Sequence, residues 1–172
     1  NDIWSSSDGI HWTRKIESAP FPARIGSSLV SYNDRLWLIG GRGYDKIYND
    51  VWSSSDGINW VQETANAEFS PRESASVFSF NNKLFLTAGN DGELLNDIWS
   101  SVDGIHWELQ AENAAFDSRM GQKILVHKDK LFLIGGLVEP EGSRPFHIND
   151  VWSSTNGVDW RLGMYDWFKF AE

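Results

Sequence analysis

Cysteine is absent from the 172-residue chain, and only two methionines occur in it. The first absence excludes a disulfide framework and any thiolate metal site, and it leaves the redox compartment open. No apolar stretch approaches the roughly 20 residues of a membrane-spanning helix. Basic residues are also short: 15 Lys and Arg stand against 24 Asp and Glu, for a formal charge of −9. That deficit argues against nucleic acid as a partner, because phosphate recognition needs clustered cations, and it disfavours acidic membranes for the same reason. Common enzyme motifs are missing as well. There is no phosphate-binding glycine loop and no Ser-His-Asp signature, and Asn90-Asp91-Gly92-Glu93 lacks the spaced oxygen ligands of a calcium loop. The sequence therefore assigns no catalytic residue, no metal ligand and no cofactor.

Tryptophan and internal repetition are abundant. The phrase Asn1-Asp2-Ile3-Trp4-Ser5-Ser6-Ser7-Asp8-Gly9-Ile10-His11-Trp12 returns at 49 to 60, 96 to 107 and 149 to 160, so successive starts lie 48, 47 and 53 residues apart. Eight of the ten tryptophans occupy two positions of this phrase, at 4, 52, 99, 152 and at 12, 60, 107, 160. Between the phrases an apolar run recurs as Leu36 to Gly41, Leu84 to Gly89 and Leu131 to Gly136, and Arg24, Arg72 and Arg119 each precede a Gly-, Ser- or Ala-rich stretch. A period of this length fits a propeller blade and is too long for leucine-rich or tetratricopeptide units.

Each repeat reads as four strands. The first (Gly26 to Tyr32, Ser74 to Phe80, Gly121 to His127) is small enough for the crowded innermost position, and Asn33-Asp34, Asn81-Asn82 and Lys128-Asp129 then supply tight turns. The second strand is apolar on nearly every residue, as a strand covered on both faces must be. The third carries Asn-Asp-Val/Ile-Trp, the Asp-Gly or Asn-Gly dipeptides are read as hairpin turns, and the fourth holds the second tryptophan. The expected fold class is all-β: a β-propeller segment of four-stranded antiparallel blades, with a half blade at 1–17, whole blades at about 18–64, 65–111 and 112–163, and a tail at 164–172. Trp52 and Trp99 are expected between blades. Beginning inside a repeat, the sequence reads as part of a larger propeller. Its uncovered apolar ends lead us to expect self-association.

The glycine pair after an apolar strand, the downstream aromatics, and Pro22-Ala23-Arg24, Pro71-Arg72 and Ser118-Arg119 together resemble kelch repeats, as in the central domain of galactose oxidase. Ser-Ser-x-Asp-Gly-x-x-Trp is similar to the Asp box of sialidase propellers, although Asp and Gly are adjacent here; it is read as scaffold. The kelch resemblance implies a binding module for a protein, peptide or glycan, with Arg24, Arg72 and Arg119 near the ligand. The same arginines are equally suited to pairing with the repeated Asp2, Asp50, Asp97 and Asp150 to hold each blade. Kelch-like enzymes are the alternative, either sialic-acid mutarotase-like or sialidase-like. Copper chemistry of the galactose oxidase kind needs a Tyr–Cys cross-link that a chain without cysteine does not provide.

A residue found in every blade is best explained by what every blade needs, so departures from the repeat carry the functional signal. They concentrate in the loop between strands two and three: 42–48, 90–95 and 137–148, the last accounting for the longest spacing. Because strand direction alternates, these loops share one rim with the connections between blades, the usual place for binding on a rigid scaffold. The candidate ligand-binding residues are Arg42, Tyr44, Asp45 and Lys46; Asn90, Asp91 and Glu93; Glu139, Glu141, Arg144 and His147; and the three arginines at 24, 72 and 119. Arg42, Glu93, Arg144 and His147 are expected on one face, opposite Asp56-Gly57 and Asp103-Gly104. His11 and His106 share their position with Asn59 and Asp159, so imidazole is not required there.

Overall fold

The structure, a computed structural model, describes residues 1–140 and 142–164, and all of its regular elements are strands. A two-stranded sheet, β1 (Ile3–Ser5) and β2 (Thr13–Ile16), is the half blade. The first whole blade is β3 (Ser28–Tyr32), β4 (Arg35–Arg42), β5 (Ile47–Ser54) and β6 (Val61–Thr64), and the second is β7 (Ser76–Phe80), β8 (Lys83–Asn90), β9 (Leu94–Ser101) and β10 (Glu108–Ala111). In the third, β11 (Arg119–Met120) and β12 (Lys123–His127) both pair with β13 (Lys130–Val138), followed by β14 (Phe146–Ser154) and β15 (Arg161–Met164). Every strand pairing is antiparallel and, apart from β11 with β13, joins sequence neighbours, the order the repeat predicts.

Two sorts of turn close the blades at one edge. The inner hairpins turn on Asn33-Asp34, Asn81-Asn82 and Lys128-Asp129, all six at positive φ between 48° and 57°, as a two-residue turn matched to strand twist requires. The Asp-Gly segments are hairpin connections, as expected, built as longer loops. Six residues separate β5 from β6, and side chains close the loop: Gly57 N donates to Ser54 Oγ at 2.9 Å, while Ile58 N and Asn59 N donate to Asp56 Oδ1 at 2.8 and 2.7 Å. Local bonds of this kind replace the strand ladder with an Asx-type turn.

The second carboxylate oxygen of each turn takes a nitrogen from the residue three positions on: His11 Nδ1 to Asp8 at 2.7 Å, Asn59 Nδ2 to Asp56 at 2.7 Å, His106 Nδ1 to Asp103 at 2.8 Å. In the third blade the partners exchange roles, with Asn156 Nδ2 donating to Asp159 at 2.7 Å. The side chain of His11 leads in holding Asp8 far below its ordinary pKa, and the backbone N–H of Asn59 leads at Asp56. At Asp103 burial opposes ionisation, but the bonds from His106 and its neighbours outweigh it; His106 is raised in turn by Asp103. A lowered carboxylate favours folding above its unfolded range near pH 4, and this contribution is lost as pH falls toward the lower folded value.

Neighbouring blades bury apolar faces against each other. Tyr32, Trp37, Ile39 and Val51 of the first whole blade meet Phe69, Leu84, Leu86 and Trp107 of the second, with Trp99 half-buried at the margin. Phe78, Phe80, Phe85 and Ile98 of the second meet Phe116, Leu131, Leu133 and Trp160 of the third. Trp52 is buried with Phe21 and Leu38 against the half blade. Along the inner strands, Ser74 N donates to Gly26 O at 2.7 Å and Gly121 N to Ser74 O at 3.0 Å, which ties the three blades near the axis. Close approach explains the glycine near the end of the second strand: a Cβ on Gly41 would lie 2.9 Å from Ile25 O, and one on Gly89 2.8 Å from Glu73 O.

Among the described residues, apolar side chains are exposed at both ends of the blade array. Beside the half blade, a cleft of about 580 Å³ is lined by Ile3, Trp4, Leu29, Leu36, Leu38 and Trp60, where two inner strands would stand in a whole blade. Leu29 is 62% exposed here, whereas its counterpart Val77 packs into a core. At the far end Leu125, Ile134 and Phe146 are exposed.

The exchanged pair at 156 and 159 yields a direct test. Asn156→Asp alone sets two carboxylates against each other and is expected to lower the melting temperature, and adding Asp159→Asn should restore it. Equal melting temperatures for the single and double variants, read by circular dichroism, would show that the pairing contributes nothing.

Candidate functional site

The repeated ionisable residues assemble within the blades. Arg24 Nη1 and Nη2 reach the two oxygens of Asp50 at 2.6 and 3.0 Å, Arg72 does the same with Asp97 at 2.5 and 2.8 Å, and Arg119 with Asp150 at 2.7 and 2.8 Å. The arginine side chains are 3%, 2% and 0% exposed. Each also donates to the carbonyl of Gly40, Ala88 or Gly135, and through Nε to the residue two positions before it. Of the two roles the sequence allowed for these arginines, the structure has pairing with the repeated aspartates. Burial and at least four hydrogen bonds from each guanidinium leave their charge facing inward, and their side chains are not exposed on the rim.

The same aspartates take the indole N–H of the tryptophan two residues on, at 2.8 Å for Trp52, 2.7 Å for Trp99 and 2.6 Å for Trp152. The preceding asparagine looks to the next blade: Asn49 Nδ2 donates to Ala67 O and Phe69 O, and Asn96 Nδ2 to Ala114 O and Phe116 O. Asn-Asp-x-Trp is thus a clamp that fastens a blade's own first strand with one side chain and the following connection with the other.

The remaining candidates lie at the edge away from the Asp-Gly turns. Arg42 ends β4 opposite Ile47, Asn90 ends β8 opposite Leu94, and His147 pairs with Leu137; Glu93 and Arg144 sit in the intervening loops. Tyr44 at the first loop's tip is fully exposed, and Asp45 beside it is exposed too. Lys46 lies over the Tyr48 ring at 4.9 Å. Arg42 pairs with Glu73 of the next blade at 2.7 Å. Asn90 and Asp91 accept from the N–H groups of Gly92 and Glu93, so they shape their own loop. Glu139, Arg144 and His147 are exposed, and Glu141 lies outside the described residues.

Two clefts on this rim border Ser118, in the connection that leads into the third whole blade. One, of about 390 Å³, is lined by Asp117, Ser118, Val138, Glu139, Pro140, Phe146 and Ile148. The other, of about 330 Å³, is lined by Leu94, Leu95, Asn96, Asp97, Trp99, Leu109, Glu112, Asn113 and Ser118. Ser118 borders both. Among the described residues, the sequence candidate Glu139 lines the first of these two clefts, and Arg24 lines the cleft beside the half blade. Glu112, Asn113, Asp117 and Ser118 belong to a connection between blades; its position on the rim was legible from strand direction, but its residues do not depart from the repeat in length and so gave no signal.

Sequence comparison agrees with this architecture: the model of the DUF6242 beta propeller domain matches residues 1–103. The chain belongs to the DUF6242 beta propeller domain family. Among solved structures it is similar to that described as "Structure of YjhT", with a TM-score of 0.75 and 16% sequence identity, over 92% of this chain and 56% of that one. The chain therefore spans little more than half of that protein's length, and at this identity the likeness carries the fold alone. No curated protein matches. A DUF6242 propeller domain must have its activity argued from its own rim, since a shared fold selects no function.

Rim and clamp respond differently to substitution. Ala at Tyr44, Glu93 or Arg144 is expected to move the unfolding free energy by at most about 0.5 kcal/mol, while Arg119→Met, which strands the buried Asp150 carboxylate, should cost about 3 to 5 kcal/mol. Urea denaturation reads both, and comparable losses at rim and clamp would contradict the division.

Proposed function

We propose that this chain is a non-catalytic, kelch-type binding module that recognises a protein, peptide or glycan through its long-loop rim. One observation carries the reading: the ionisable residues common to the blades are engaged in the buried clamps, while the residues that differ between blades project at one edge beside two clefts. Charged groups locked in a scaffold are poorly placed to transfer protons or attack a substrate. Exposed, varied side chains on short loops suit recognition, where a rigid frame holds a surface free to diverge. The galactose oxidase-like repeat signature supports the kelch assignment, since the glycine pair, the arginine before the first strand and the paired tryptophans each serve a packing need of the blade.

Probing combined peptide and glycan arrays with the labelled chain tests this. Ligands captured by the wild type should be lost by the triple variant Tyr44→Ala, Glu93→Ala, Arg144→Ala and kept by Lys83→Ala, Lys130→Ala, which alters the opposite edge. Ligands that survive the rim variant and fail on the opposite-edge variant would overturn the assigned face.

A further inference from the structure

The two clefts at Ser118 have a chemical character that goes further than a general binding rim. Their floors are apolar, with Leu94, Leu95 and Trp99 on one side and Val138, Phe146 and Ile148 on the other. Leu109 is 45% and Phe146 46% exposed, so both present apolar surface at the clefts. The indole N–H of Trp99 is already held by Asp97 at 2.7 Å, which leaves its apolar surface for the cleft.

Charge around the clefts has one sign. Asp97, Glu112, Asp117 and Glu139 line them, and no Lys, Arg or His does. Asp97 is neutralised by Arg72, but among the described residues Glu112, Asp117 and Glu139 form no ion pair.

The repeat itself indicates what such a surface takes. In the first whole blade, Lys46 immediately precedes β5 and lays its ammonium over the ring of Tyr48, 4.9 Å from the centroid. The corresponding positions in the second blade are Glu93, immediately before β9, and Leu95 on the cleft floor. The chain thus supplies its own cation over an apolar rim residue in one blade. In the next it offers an apolar floor edged by carboxylates.

We propose that these two clefts bind a single extended peptide segment in which Lys or Arg alternates with apolar side chains. The inference rests on the rim being the binding face and names its partner. Two floors on either side of Ser118 suit two apolar anchors of one strand-like segment, while intervening cations meet Glu112, Asp117 and Glu139; an apolar centre ringed by complementary charge is the usual build of a recognition surface. Overall charge of −9 favours the encounter.

The probe is a fluorescent peptide of about eight residues alternating Lys and Leu, titrated against the full chain by anisotropy. Glu112→Lys and Glu139→Lys together are expected to weaken binding about tenfold or more. Phe146→Ser should weaken it as well. Glu108→Lys, which puts a like charge at the other end of β10, should change affinity less than about twofold, because a separated surface charge is screened by salt. A Lys/Ser peptide of equal charge should bind more weakly than the Lys/Leu probe, and a Glu/Leu peptide should not bind. The inference fails if Glu108→Lys acts as strongly as the cleft variants, if the Lys/Ser peptide binds equally well, or if the Lys/Leu probe does not bind. If array ligands of other chemistry remain sensitive to the rim variant while the Lys/Leu probe fails, the cationic segment alone is refuted. If the probe binds but ignores Glu112, Glu139 and Phe146, the cleft assignment is refuted, while the rim reading is decided by the array variants.

Discussion

The structure depends on a buried ion pair repeated once per whole blade: Arg24 with Asp50, Arg72 with Asp97, Arg119 with Asp150. A propeller blade must bring its first and third strands into register although the second strand stands between them. The guanidinium does this by spanning from the first strand's lead-in to the third strand, bonding a second-strand carbonyl on the way. Its planar fork matches both carboxylate oxygens, which lysine could not do. Burial makes the arrangement demanding, because a lone buried charge is costly, and the tryptophan N–H and backbone carbonyls satisfy the remaining polar directions. In the half blade Asp2 likewise accepts the indole N–H of Trp4 at 2.6 Å.

Around that pair the aromatic residues are arranged by geometry. Phe21, Phe69 and Phe116 each stand edge-on to two tryptophans, with centroids 5.4 to 6.4 Å apart, and each lies within 6 Å of a clamp arginine. The phenylalanine carbonyl is tied by the asparagine of the preceding blade. One residue therefore serves the core, the cation and the blade-to-blade connection together, which explains why the phrase recurs almost unchanged.

The fold was legible because each blade solves one packing problem with the same residues, so a 47- or 48-residue spacing and a tryptophan pair reveal strand order without tertiary information. Asp-Gly marked the hairpin but not how it closes: Ser54 and Asp56 act through side-chain oxygens that a strand pattern does not register. Arg24, Arg72 and Arg119 were ambiguous for a different reason. Their partners lie 25 to 31 positions away, and only burial separates a clamp from a ligand contact. The clefts were invisible from sequence, since Trp99 and Leu95 occupy scaffold positions and become part of a surface beside the connection that leads into the third whole blade.

A double-mutant cycle on Arg72 and Asp97 tests the clamp most directly. Urea unfolding of Arg72→Met, Asp97→Leu and the combined variant gives the coupling free energy. The account predicts that the combined variant is more stable than the sum of the single losses allows by about 2 kcal/mol, because removing both charges relieves the buried one that either single change strands. Additive losses within about 0.5 kcal/mol would show that the two residues act independently and that the blades are held by packing alone.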